Sequence, residues 1–253
     1  MPRVLAVVCL FLAWRCAVAQ STASSDPFAI SLAQNSVTAL TGGVRIGDVT
    51  LNANVIWIFG PDNETGTGTF QAKGMNESRV DLKLSSESRS DVRNATNGIP
   101  GGSWETNGGV PGQYALHNCW TDAGWFFPEL SSLTQTSNPN FVFSYIGQEK
   151  HGGANTQHIR VYQLGPFQEV SAMDFFLDAV SFLPVAVASN AHPDKDMGTN
   201  IPTEILFANY QRVNGLQVPF HFQKMFNGSV VLDATVTSSV FNSGLADSLF
   251  TLQ

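Results

Sequence analysis

The residues that could do chemistry are few and scattered. His117-Asn118-Cys119, with Asp122 close behind, puts an imidazole and a thiol in one short stretch. A Cys/His pair makes a nucleophile when the ring takes the thiol proton and a third group orients the ring. Spacing alone does not bring these two side chains together, and no orienting group is evident. The plainer reading of Cys119 is a small apolar side chain packed beside Trp120. His151 and His158 flank an expected turn and could lie on adjacent strands, with His117 as a third metal ligand. No H-x-x-x-H or C-x-x-C spacing supports a metal. His192-Pro193-Asp194-Lys195-Asp196 could hold a cation through its carboxylates, yet Pro-Asp chemistry there reads as a solvated turn. No G-x-S-x-G elbow, phosphate loop or dinucleotide fingerprint occurs. We assign no catalytic residue, no metal ligand and no cofactor, and rank a hydrolase third among the readings. One cluster remains: Trp120, Trp125, Phe126 and Phe127 fall within eight residues, inside an expected insertion rather than a strand. Loops with their own aromatic surface often bind or cover ligands.

Composition narrows the classes. The 253 residues carry 13 Lys and Arg against 20 Asp and Glu. No basic run occurs, so a nucleic-acid partner is not expected. Arg3, the apolar run Val4 to Trp14 and Ala17-Val18-Ala19 form the three regions of an export leader. The run is too short to span a bilayer. Cleavage after residue 19 would remove two of the 13 basic residues and shift the formal charge from −7 to −9. Cys9 and Cys16 would leave with the leader, so Cys119 could form no intrachain disulfide. Residues 20–253 then read as one domain long enough to live on its own core. Asn63, Asn76, Asn94 and Asn227 begin N-x-[ST] sequons. The bacterial look of the leader makes chance the better reading, since Asn is common in hairpin turns.

The elements that must position these residues are mainly strands. Asn214-Gly215 sits between two runs with period-2 alternation, the signal of a type I′ hairpin. A two-residue turn sets Val213 opposite Leu216, Phe207 opposite Phe222 and Ile205 opposite Lys224. Ile205, Phe207, Val213, Leu216, Val218, Phe220 and Phe222 then share an apolar face. Glu204, Tyr210, Arg212, Gln217, His221 and Gln223 share the polar one. Before this hairpin, Asp26-Pro27 opens a helix over residues 27–40. Val49 to Phe59, Thr65 to Lys73, Arg79 to Leu84 and Arg89 to Asn94 form a meander. Residues 97–112 are rich in Gly and Pro and read as a loop, with Trp104 in a short strand at most. Ala115 to Trp120 and the stretch from Pro128 read as short helices. Strands resume at Phe141 to Gln148, Thr156 to Leu164, Met173 to Asp178 and Leu183 to Ser189. Asn227-Gly228 leads into a last strand, Val230 to Val240, and a helical turn ends the chain. The class is α+β: a strongly curled antiparallel sheet of about 10–11 strands, a half-barrel closed by the N-terminal helix and the helical insertion.

At Asp178-Ala-Val-Ser181-Phe-Leu183-Pro184, and again over Ile205 to Phe220, the chain resembles the LolA/LolB-like superfamily of periplasmic lipoprotein carriers and envelope sensors. The shared features are a D-x-x-[ST]-x-L-P element and a strand that turns through N-G into a second strand. The resemblance covers residues 27–252 in outline and about forty in motif, and segments 97–112 and 120–127 depart from it. It implies a half-barrel over an apolar cavity that takes acyl chains or lipoproteins, in an exported protein, periplasmic or secreted. No family binding residue matches a position here. From the strands themselves we expect Phe28, Leu32, Trp57, Phe59, Trp125, Phe126, Phe127, Phe143, Phe207 and Phe222 to surround the ligand, between helix 27–40, the insertion and the sheet. The leading reading is a non-enzymatic carrier of an apolar small molecule or lipoprotein, not membrane-spanning. The alternative is a structural or partner-binding envelope protein whose concavity is filled by its own aromatics. An open apolar pocket of about 300 Å³ or more between helix 27–40 and the sheet separates the two.

Overall fold

The computed structural model describes residues 23–59 and 62–252, without the side chains of Phe59 and Asp62. The expected export leader lies outside the described residues. The described residues form one α-helix, α1 (Pro27–Thr41), four short 3₁₀ turns and one antiparallel sheet of 13 strands. The strands are β1 (Asp48–Phe59), β2 (Asp62–Lys73), β3 (Glu77–Leu84), β4 (Ser88–Thr96), β5 (Ile99–Thr106), β6 (Gly112–Gln113) and β7 (Phe141–His151). They continue with β8 (Ala154–Gln163), β9 (Met173–Asp178), β10 (Pro184–Ala191), β11 (Ile201–Val213), β12 (Leu216–Phe226) and β13 (Ser229–Phe241). The spatial order is β6-β5-β4-β3-β2-β1-β13-β12-β11-β10-β9-β8-β7. Two meanders are thus joined where β1 pairs β13. The edges are β6 and β7, and the segment 114–140 is what connects one edge to the other.

Turn chemistry accounts for the meanders. Asn214 and Gly215 carry φ of 51° and 93°, and Asn227 and Gly228 carry 48° and 77°. Both turns therefore hold two left-handed residues, as a type I′ hairpin requires. Phe207 pairs Phe222 and Ile205 pairs Lys224, in the expected register. A third such turn corrects the reading of 97–112 as a loop. Asn97 and Gly98, at φ 53° and 78°, join β4 to β5, and Thr96 pairs Ile99. β5 was hidden by its own Pro100-Gly101-Gly102, which dilutes the alternation. Tyr210 is a second correction. Placed on the polar face by alternation, it packs against the core, its hydroxyl donating to the Pro184 carbonyl at 2.8 Å. Asn209, left-handed at φ 52°, interrupts the alternation just before it. The strand count also rises from about 10–11 to 13.

Gly215→Val is expected to destabilise the protein by roughly 1–3 kcal/mol, because a β-branched residue resists positive φ. Space is not the obstacle: a Cβ at Gly215 would meet nothing nearer than Val44, at 3.7 Å. Denaturant titration of the purified variant measures the loss, and an unchanged midpoint would refute the turn argument.

The helix α1 is capped as its sequence predicts. The Asp26 carboxylate accepts from the Phe28 amide, Pro27 occupies the first turn, and Gly42 at φ 58° closes the other end. Its inner stripe, Ala29, Leu32, Ala33 and Leu40, is buried. Small residues let the helix sit close against β12, β7 and β8 and against the 3₁₀ turns of the crossing segment. A second, smaller core lies on the outer face of β3 and β4. There Val92 and Phe250 are fully buried, and the Asn94 side-chain amide donates to the Phe250 carbonyl at 2.9 Å.

Candidate functional site

The pairing of the strands sets out the floor of the site. One row across the sheet aligns Ile159, Phe175, Val187, Ile205, Lys224, Leu232 and Trp57 on β8, β9, β10, β11, β12, β13 and β1. Six of these are apolar and one is a lysine. The register slips between Lys224 and Met225, so Val231 bulges out of the β12–β13 ladder. A bulge bends its strand and raises the local twist. On the other side of β1, the pairing sets Val80 opposite Asp91, Leu82 opposite Arg89 and Ser78 opposite Arg93. The polar strand β4 therefore turns Arg89, Asp91 and Arg93 to the same face as Val80 and Leu82, and gives Val92 to the outer core.

The crossing segment forms the roof. Three contacts fix it: the Arg93 guanidinium donates to the Thr121 carbonyl at 3.1 Å, the Ala123 amide to the Met75 carbonyl at 3.1 Å, and the Asp122 amide to the Met173 sulfur at 3.3 Å. Asp122 accepts from the Ser132 amide at 2.8 Å and from its hydroxyl at 3.1 Å. Burial nonetheless pushes the Asp122 carboxyl up to about 6, against the pull of those bonds and of Arg93. Trp125 stands edge-on to Phe70 at 6.2 Å and to Phe222 at 6.0 Å. Floor and roof enclose a cavity of about 530 Å³. Its walls are Trp57, Leu82, Val187, Ile205, Leu232 and Trp125, with Tyr114 and the β4 charges at one end.

The cavity is not where the spacing of the strands put it. None of α1 lines it. Trp57 and Trp125 do line it. Leu32, Phe126, Phe127, Phe143, Phe207 and Phe222 are at most 5 % exposed and belong to the solid core beside it. Phe28 is 49 % exposed at the rim of the helix, edge-on to Tyr145 at 4.8 Å. Phe59 ends β1, and its side chain is outside the described residues. The residues expected to surround a ligand thus divide: Trp57 and Trp125 line this cavity, and the buried ones pack as core beside it. Small residues on α1 and bulky phenylalanines beneath it pack there as core. The space opens one row further along the strands, where Lys224 and the β4 charges replace phenylalanine.

Lys224 was missed by the sequence reading, although the hairpin register already set it opposite inward-facing Ile205. Its ammonium lies 4.5 Å above the Trp125 ring and 5.3 Å from that of Phe226. Burial pulls it down to about 8. Tyr114, which donates to Asp91, is pushed up by burial and by that carboxylate.

The other candidate residues are occupied elsewhere. His117 bonds the Pro193 carbonyl through Nε2 at 3.2 Å, while Cys119 points its sulfur to the Ala115 carbonyl at 3.7 Å. Burial pushes the Cys119 thiol up, away from thiolate. His151 pairs with Glu204, and His158 bridges Glu149 at 2.6 Å and Asp174 at 2.8 Å. The His151 ring stacks on Phe176 at 3.7 Å, and the His158 ring lies tilted against it at 4.4 Å. Asp196 is used within its own loop, accepting from Gly198 and Thr199. Among the described residues no three His, Cys, Asp or Glu side chains are grouped to hold a metal.

A central helix, a meander on either side of it and a segment crossing from edge to edge define a class: the protein has the LolA-like fold. Three solved structures carry that statement. A putative outer membrane lipoprotein-sorting protein domain from Vibrio parahaemolyticus superposes with a TM-score of 0.58 at 13 % identity, over 87 % of this chain and 95 % of that one. A LolA superfamily protein from Nitrosomonas europaea gives 0.54 at 10 %, over 88 % and 97 %. A DUF1329 family protein from Desulfovibrio piger gives 0.57 at 9 %, over 91 % and 100 %. No family model and no curated protein matches the chain. No helix among the described residues is long and apolar enough to cross a membrane, which says nothing of strands.

Proposed function

We propose that this protein is an exported, non-enzymatic carrier that takes an apolar ligand, a lipid or the acyl part of a lipoprotein, into the cavity under the crossing segment. The observation that carries the reading is that cavity: about 530 Å³, walled by Trp57, Val187, Ile205, Leu232 and Trp125, in a sheet whose other inner surface is already filled. Ligand sites are concave, mostly apolar and of this size, with a few polar groups that orient the guest. We read the sheet as curled into a half-barrel. Phe70 on β2 and Phe222 on β12 meet at 5.0 Å although β1 and β13 stand between them. Three strand spacings in a flat sheet are about 14 Å. The lipoprotein-sorting domain of the same fold supports the class of ligand.

Trp125 and Phe126 separate this reading from a self-filled envelope protein. Trp125 lines the cavity, whereas Phe126 is fully buried beside Phe70 and Phe222. Trp125→Ala is expected to weaken binding of a fluorescent fatty acid by about tenfold or more, with a modest fall in melting temperature. Phe126→Ala is expected to do the reverse, lowering stability by roughly 3–5 kcal/mol. Calorimetry and a fluorescence titration read the two effects. Trp125→Ala melting early with unchanged binding would favour the filled-core protein.

A further inference from the structure

Among the inner-face side chains, Lys224 stands out for what it lacks. The three carboxylates around the cavity each have other company: Asp91 takes the Tyr114 hydroxyl, Asp122 takes Ser132 at 2.8 Å, and Asp194 lies exposed at the mouth. The two guanidiniums are partly engaged, although the Nε of each is buried without a partner. Arg93 donates to the Thr121 carbonyl at 3.1 Å, and Arg89 lies 4.9 Å over the Trp57 ring with Glu87 at 3.6 Å. Lys224 is half-buried, and among the described residues its ammonium meets only the faces of Trp125 and Phe226. An ammonium has three donors, and an aromatic face replaces only part of what water or an anion supplies. Its neighbours in the row, Ile205 and Leu232, offer no acceptor. A lysine in the middle of an apolar row is costly for a wall that only has to be greasy. It is well placed to receive an acid.

The geometry points to an anionic amphiphile as the ligand: its acid group pairs with the Lys224 ammonium between Trp125 and Phe226, and its chain lies along the apolar row through Ile205 and Val187. This rests on the carrier reading above and adds the head-group chemistry to it. A long-chain carboxylate and a monoalkyl phosphate share that chemistry. Both present oxygens that an ammonium can reach as a point charge. The titratable groups that share the cavity with the ammonium are Asp91, Arg89, Arg93 and Tyr114 from one side, Asp122 from the roof and Asp194 from the loop after β10. Asp91 is the one anion among them that acts appreciably on Lys224, and Arg93 opposes it.

The test compares dodecanoate, dodecyl phosphate and dodecanol on the full chain, followed by tryptophan fluorescence, since Trp125 lies 4.5 Å from the ammonium. A hydrogen-bonded charge pair predicts that the wild type binds dodecanoate about 10–100-fold more tightly than dodecanol. Lys224→Met should bring the two affinities together, while Lys224→Arg should keep the preference. Should Lys224→Met fail to fold, the wild type supplies the second readout. Its dodecanoate affinity should fall as pH rises from 7 to 10, while its dodecanol affinity stays level. A phosphate preferred over the carboxylate would assign the head group to a phospholipid-like source, and the reverse to a fatty acid. Equal binding of acid and alcohol, or a preference that survives Lys224→Met, would overturn the lysine assignment and leave the carrier reading standing. Uptake of none of the three would overturn both.

Discussion

Glu129→Gln is expected to flatten the pH dependence of stability, with the largest difference from wild type above neutral pH. Glu129 sits in the 3₁₀ turn Pro128–Leu130 and is 2 % exposed. Neither carboxyl oxygen has a hydrogen-bond partner. Burial therefore holds its proton on, well above the ordinary carboxylate range, and burial likewise pushes the nearby Tyr210 hydroxyl up. Above pH 4.5 the unfolded chain releases this proton while the native one keeps it, so the native state binds more protons. Stability from this group is complete below about pH 4.5 and falls as pH rises, by about 1.4 kcal/mol per unit until the native group ionises. Glutamine carries no such charge. It leaves an unpaired amide that costs roughly 1–3 kcal/mol at every pH. The slope, not the offset, is thus the readout. Thermal melts at pH 5, 6, 7 and 8 give it, and parallel curves for the two proteins would show that Glu129 is paired or hydrated after all.

Phe222→Ala is expected to cost roughly 3–5 kcal/mol, the range for deleting a fully enclosed aromatic ring. Phe222 has no exposed surface. Its ring meets Phe70 at 5.0 Å, Trp125 at 6.0 Å and Phe126 at 6.4 Å, and its backbone pairs with Phe207 and Ala234. It therefore joins the two meanders and the crossing segment at one point. A loss so large could leave little folded protein at room temperature, since small domains hold only 5–15 kcal/mol in all. Urea titration measures it. His221→Ala is the internal control, because its ring faces the other way and bonds Asp233 at the surface at 2.9 Å. A small loss at Phe222 with a large one at His221 would mean the strand register is inverted.

The parts of the fold that were legible were those written in local chemistry. Asn214-Gly215 and Asn227-Gly228 declared their turns, and alternation around them sorted Phe207 from His221. Asp26-Pro27 and Gly42 bounded α1 to within a residue. What failed was non-local. Arg89, Asp91 and Arg93 alternate on one face of β4, and nothing local tells which way that face turns. They line the cavity, while Val92 on the other face is fully buried on the side where Asn94 bonds Phe250, far away in sequence. The helix stripe was visible, but nothing local told which patch of sheet it would cover. The site was half legible for the same reason. Trp57 and Trp125 announce apolar surface by type, whereas Lys224 had to be read from the hairpin register, opposite Ile205 and inside the sheet.

The account stands on the cavity accepting a guest. Titrating the purified wild-type protein with a fluorescent long-chain fatty acid tests this most directly. A carrier takes up one equivalent saturably, with the probe's emission shifted to that of an apolar surrounding and tryptophan emission quenched. No saturable uptake of this or any other apolar probe would contradict it, and would leave the chain as an envelope protein that fills its own concavity.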